Sequence, residues 1–300
     1  MKCKYLLIAL GIGVFASNGY AHESATLRKI QETGIINVGY RDASIPFSYL
    51  DDKQRPIGYS LDLCYLIVDA VKLRLKLQSL EVRLTRVTSA NRMAFILNAI
   101  VDLECGTTTN SVDRQQSVSF SVTTFLAEGR LVSKKSSNIQ SLSQLKGKSV
   151  VSTAGTTSME LLAELNRSKE LNMRILVGKD HAESFSMVET DRALAFAMDD
   201  VIVHGLVASS KNPDDYIISE VPLSIEPYGI VFRKNDSEFK KLADDAIVKA
   251  FKSGEINQLY QKWFLSPIPP KQINLQLPMS DMLKRVIAHP SDSGVPGVYR

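Results

Sequence analysis

The chain has 300 residues, 44% hydrophobic and 23% charged, the balance of an ordinary globular protein with apolar material for one large or two medium cores; intrinsic disorder and collagen-like repeats are excluded. Lys and Arg total 36 against 32 Asp and Glu, and the net charge of +4 is spread along the chain without basic blocks, so no nucleic acid partner is expected. With four His and three Cys, and no two His at helical spacing, no metal centre and no other cofactor is expected.

Lys2 and Lys4 precede an apolar run of ~11 residues from Tyr5 to Phe15, and Ala16 to Ala21 are mostly small or turn-forming. The run is short of the roughly 20 residues a membrane-spanning helix needs. It reads as a secretory signal peptide, residues 1–21, cleaved after Ala21. Cys3 lies ahead of the run, whereas a lipoprotein cysteine would follow it. An exported chain meets an oxidising compartment, where Cys64 and Cys105 can form a disulfide. Each also stands where a buried thiol is at home, Cys64 in an apolar helix and Cys105 at the end of an apolar strand, so both readings are open.

From residue 35 short apolar strands alternate with amphipathic helices, the pattern of α/β architecture. A first set comprises a strand at 36–40, a helix at 60–77, a strand at 81–87, a short helix at 91–100 and a strand at 101–105. The helix at 60–77 sets Leu61, Tyr65, Val68 and Lys72 along one face. After a Ser/Asn/Gln-rich stretch at 136–144, a second set has strands at 148–153, 174–177 and 193–198 and helices at 158–166, 183–190 and 201–209. Two extended segments, 125–134 and 228–233, fall where the sets meet, and two crossings imply two connecting strands. The expected division is therefore a discontinuous first lobe, residues 22–128 and 227–300, with an inserted second lobe, residues 129–226. A helix at 237–252 stopped by Gly254 packs on the first lobe, a short helix carries Trp263 and Phe264, and the last ten residues read as a loose tail.

Ligands of open α/β sheets bind at the carboxyl ends of strands. The residues that follow the predicted strands are rich in hydroxyls and arginine: Arg41; Ser89 and Arg92; Thr107, Thr109 and then Arg114; Thr156 and Thr157; His181; Asp199. Gly155 followed by hydroxyl residues at a helix start offers free N–H donors and a positive dipole end to an anion. A guanidinium grips a carboxylate through two parallel hydrogen bonds, which Lys cannot copy. Two carboxylates need two such partners, and Asp199 supplies the opposite charge for an ammonium group, so the set describes an acidic amino acid.

The segments GYRDASIPFSY, GYSLDLC, TSANR, LECGTTTNSVDRQ, STAGTTS, KDHAESF, AFAMDD and KWFLSPIPP resemble those of the periplasmic glutamate/aspartate-binding proteins of amino-acid ABC importers, over residues 24 to about 290. The resemblance implies a type II periplasmic-binding-protein fold, two lobes closing about two hinge strands, with glutamate or aspartate and a membrane permease as partners. It implies a periplasmic location, and the protein is expected to act as a monomer. Carried onto matching positions, Arg114 holds the α-carboxylate with Thr109 and the Thr156/Thr157 turn, Asp199 the α-ammonium, and Arg41, Ser89, Arg92 and His181 the side-chain carboxylate. Thr107 departs from the resemblance, which more often has Ser there, and leaves the preference between the two ligands open. The rival is an exported enzyme, since cyclohexadienyl dehydratase-like proteins use the same two-lobed fold. The sequence has no GxSxG, HExxH or Cys/His pairing with a third orienting group, and three arginines favour gripping over proton transfer, so no enzyme is expected.

Overall fold

The computed structural model describes residues 24–300. The expected signal peptide lies outside the described residues. Helix α1 (Ala25–Thr33) is capped by the Ser24 hydroxyl and stopped by Gly34 in the left-handed region, and it feeds strand β1 (Ile35–Tyr40). A small antiparallel sheet of β2 (Ala43–Ser44), β3 (Ser48–Leu50) and β4 (Pro56–Ile57) precedes α2 (Tyr59–Arg74). Then come β5 (Glu81–Arg86), α3 (Arg92–Leu97), β6 (Leu103–Glu104), the single turn α4 (Val112–Gln115) and β7 (Val118–Phe120).

The long strand β8 (Phe125–Lys134) leads to β9 (Ser149–Thr153), α5 (Thr157–Ser168), β10 (Arg174–Gly178), α6 (His181–Glu189), β11 (Ala195–Asp199) and α7 (Asp200–Ser209). The chain returns through β12 (Tyr216–Ile218), β13 (Ser224–Tyr228) and β14 (Val231–Arg233) to helices α8 (Ser237–Ser253), α9 (Glu255–Phe264) and α10 (Asp281–Ala288).

Two larger sheets result. One has the order β5-β1-β6-β14-β7, with β1 parallel to β5 and β6 and β14 antiparallel to its neighbours. The other has the order β10-β9-β11-β8-β12, with β13 also on β8. The fold is the expected mixed α/β, two-lobed type. β8 and β13 pair antiparallel from Phe125↔Tyr228 to Gly129↔Ser224, and these two strands run side by side where the chain passes from one sheet to the other and back.

Under that passage lies an aromatic cluster. Phe47 meets Phe125 at 4.9 Å and Tyr228 at 5.3 Å, while Phe264 meets Tyr59 and Phe125 at 5.2 Å and Tyr260 at 4.4 Å between ring centroids. Each such pair adds about 0.5–1.5 kcal/mol to its area burial. The Tyr59 hydroxyl donates to the Thr124 carbonyl at 2.9 Å, fixing the start of β8 to α2.

Several expectations need correction. In α2 the buried face is Leu63, Cys64, Ile67 and Val71, with Leu61 and Val68 beside it; Tyr65 and Lys72 look outward. The segment expected as one strand at 228–233 is two strands in different sheets, because the chain turns at Gly229–Ile230. Helix α6 starts at His181, two residues before the expected start, because the Asp180 carboxylate caps it by accepting from the Glu183 N–H at 2.8 Å. The last residues are no loose tail: Tyr299 is 4% exposed and packs with Leu126 and Val286.

Cys64 and Cys105 form a disulfide with Cα atoms 6.2 Å apart, joining α2 to the loop after β6. Replacing both by Ser is expected to cost about 4 kcal/mol, the loop entropy released to an unfolded chain whose cross-link spans 41 residues. Urea unfolding checks this, and an unchanged midpoint contradicts it.

Candidate functional site

The parallel strands β1 and β6 end facing β9, β10 and β11 across a cleft, and the turns after them carry the polar residues. Gly155 sets how closely the two sides approach. Its φ is +72°, and a Cβ there would stand 2.6 Å from the Ser89 carbonyl oxygen, so only glycine lets the turn after β9 meet the turn after β5. Arg92 and Arg114 both direct Nη2 to the Gly155 carbonyl, at 3.5 and 3.3 Å. Thr109 and Thr157 hydroxyls meet at 3.3 Å.

Eight of the ten expected residues line one narrow cavity: Ser89, Arg92, Thr107, Thr109, Thr156, Thr157, His181 and Asp199, with Met198 completing the wall. Arg41 and Arg114 are not in this wall. Arg41 follows β1 and is fully buried, with its Cγ against Gly106, where a Cβ would also run into Glu104 Oε1. Arg114 is held at the rim through Nη1, which donates to the Thr109 carbonyl at 2.9 Å.

The site is notable for buried polar atoms with no partner among the described residues. They include the donors Arg41 Nε and Nη1, Arg92 Nε and Ser89 Oγ, with His181 Nε2 beside them. Buried polar groups are almost always hydrogen-bonded, so this grouping marks a place built for another molecule's acceptors. The local order of His181 fixes its tautomer. Ser184 Oγ donates to the Asp180 carbonyl at 2.8 Å, so the Thr153 hydroxyl donates to Ser184 Oγ at 2.8 Å and accepts from His181 Nδ1–H at 3.0 Å, which leaves Nε2 of the neutral ring as an acceptor.

Electrostatics separate the cavity into two ends. Burial, then the charge of Arg92, lowers Arg41 and Arg114 each to about 10. Arg92 itself is lowered by burial. Burial, then Arg41 and Arg92, holds His181 well below the usual 6.5, so the imidazole is neutral at physiological pH.

At the opposite end Asp199 closes β11 and is 1% exposed. Burial, then the Glu226 carboxylate, pushes it up to about 8. Tyr228 Oη donates to Asp199 Oδ2, and Ser158 Oγ donates to Oδ1 at 3.3 Å.

Sequence reasoning missed Glu226, Tyr228, Ser158 and Glu104. Glu226 on β13 accepts from the Thr157 hydroxyl at 2.8 Å and from Ser224, tying the connecting strands to the α5 turn. Glu104 is fully buried, accepts from Thr108 Oγ1 at 2.6 Å and contributes negative charge near Arg41 and Arg92. Tyr228 and Glu226 lie on a strand that passes between sheets, not after a strand end, and the one available signal was a carboxylate within an otherwise buried extended run.

Three known proteins are similar to this chain. A Pseudomonas aeruginosa L-glutamate/L-aspartate-binding protein is 52% identical over 270 residues, 90% of this chain and 89% of that one. A Salmonella typhimurium glutamate/aspartate import solute-binding protein is 44% identical over 97% of this chain and 96% of its own length. The crystal structure of a mutant of ArgBP from T. maritima superposes with a TM-score of 0.70 at 25% identity, covering 79% of this chain and 98% of that one. Residues 36–266 match one family throughout, and the chain belongs to the bacterial extracellular solute-binding proteins, family 3.

Proposed function

We propose that the protein captures glutamate or aspartate between its lobes in the periplasm and presents the closed form to the membrane permease of an ABC importer. The observation that carries this is the grouping of buried Arg41 and Arg92, both with unpartnered donors, and of Arg114 at the rim, about a cavity that buried Asp199 lines from the other side. Two anionic groups and one cation on a small molecule are what such a cavity compensates. The names of the relatives at 52% and 44% identity support the same ligand class.

In this reading Arg114, Thr109 and the Thr156/Thr157 turn seat the α-carboxylate. The N-terminus of α5 adds its dipole there. Asp199, oriented by Tyr228 and Ser158, takes the ammonium through its remaining lone pairs. Arg92 and Ser89 donate to the distal carboxylate with His181 beside them, and Arg41 supports them from behind with its charge. Thr107 lines the wall beside them. The mature protein starts after residue 21, and residues 22–128 with 227–300 form one lobe while 129–226 form the other. Closure is driven because both lobes gain contacts with the same ligand.

His181 is the histidine that lines the cavity, and its depressed basicity does not suit a general base. A binding role is therefore favoured over turnover. The protein is expected to act as a monomer.

Calorimetric titration of the purified mature protein with glutamate, aspartate, glutamine and asparagine tests the reading, with the two acids expected to bind tightest. Losing one partner of a buried charge pair costs about 3–5 kcal/mol, or two to four decades in affinity. Arg114→Ala is expected to lose that much for every amino acid. Arg92→Ala is expected to lose it for the acids and far less for the amides; equal losses would remove Arg92 from the distal seat.

Below pH 8 Asp199 holds a proton that must leave before it pairs with an ammonium group. Affinity is therefore expected to rise from pH 6 to 8, by up to about tenfold per unit, with proton release on binding. His181 stays neutral across that window. Titrations in buffers of different ionisation enthalpy read both quantities, and an affinity that is flat or falls with pH contradicts the role of Asp199.

A further inference from the structure

Beyond α10 the chain crosses the molecule in a single pass. Ser291 accepts through its carbonyl from the Thr123 N–H at 2.7 Å. The Asp292 carbonyl accepts from both Asn110 Nδ2 and Gln115 Nε2 at 2.9 Å, and its carboxylate pairs with Lys240 at 2.8 Å. Gly294 lies so near the Ser111–Val112 backbone that a Cβ there would stand 2.7 Å from the Val112 nitrogen. At the far end Tyr299 Oη donates to the Ser293 carbonyl and accepts from Thr123 Oγ1, each at 2.8 Å. The Tyr299 ring packs with Leu126 of β8 and Ile225 of β13.

These contacts fall on two places: the 110–115 turn that carries Arg114, and the paired strands that join the lobes. Helix α4 is a single turn of four residues, too short to hold itself by its own hydrogen bonds. The two amides that flank it, Asn110 and Gln115, bond each other at 2.8 Å and converge on one external carbonyl. A guanidinium that grips a carboxylate in a two-point geometry must be held within ~0.5 Å, and that order is set before binding only if something fixes the turn.

We propose that residues 290–300 are a positioning strap for ligand capture: the Asp292 carbonyl anchors the Arg114 turn, and Tyr299 ties that anchor to the strands joining the lobes. The proposal rests on the reading of Arg114 as the seat of the α-carboxylate. The segment lies beyond residues 36–266, the part of the chain that matches the family model.

Two variants of the mature protein test it, a chain ending at His289 and the milder Gly294→Val, which carries the same comparison if the shortened chain does not fold. Affinity for glutamate and for glutamine is expected to fall equally, by about tenfold, because the distal seat is untouched. In double-mutant cycles the strap variant is expected to couple to Arg114→Lys and to add independently to Arg92→Lys. Amide hydrogen exchange is expected to quicken at 110–117 while β9, β10 and β11 keep their protection. Additivity with both arginines, or unchanged exchange at 110–117, overturns the proposal. Should the unaltered protein bind no amino acid, the functional reading falls by itself, and the exchange result alone upholds or overturns the strap.

Discussion

The structure turns on a concentration of positive charge that has been taken out of water. Arg41, Arg92 and Arg114 are close enough for Arg92 to depress the other two, and burial is the larger part of each shift. Nearby Glu104 offsets part of that charge, and Glu226 and Asp199 gather at the far side. Guanidiniums and carboxylates held apart across one cavity leave each end under-compensated, and a zwitterion with a second carboxylate satisfies both ends together. Burial makes this selective. The same charges in water would interact several-fold more weakly and would discriminate little.

The fold exists, in this light, to bring groups from two sheets to one point and to let them part. Strand-end turns from both sheets supply the donors, and Gly155 lets the facing turns touch. β8 and β13 pair over the aromatic cluster of Phe47, Tyr59, Phe125, Tyr228 and Phe264, a rigid base beneath the strands about which the lobes close. Tyr228 belongs to both systems. Its ring is part of that base and its hydroxyl orients Asp199, so the proposed ammonium seat stands directly on the joining strand.

Much of this was legible in the sequence because its signals are local. The strand and helix alternation, the polar turns after the strands and the arginine count each follow from short-range patterning, and eight of the ten residues singled out there do share one cavity. What was hidden depends on contacts far apart in the chain. Arg41 sits behind the wall because Gly106 and Glu104 pack on it from β6. Glu226 and Tyr228 became visible only once β13 was laid on β8, 99 residues or more away in register at Glu226↔Ala127. The end of the chain read as loose because its composition is polar and broken by proline, and its order comes from Asn110, Thr123 and Lys240, which no local pattern connects to it.

The account makes one geometric claim above the others, that the two ends of a bound acidic amino acid go to different arginines. A crystal structure of the complex with L-glutamate tests it most directly. The account predicts the α-carboxylate on Arg114, the ammonium on Asp199 and the distal carboxylate against Arg92 and Ser89, with His181 beside them. A ligand bound with its distal carboxylate on Arg114, or seated outside the cavity, would contradict it.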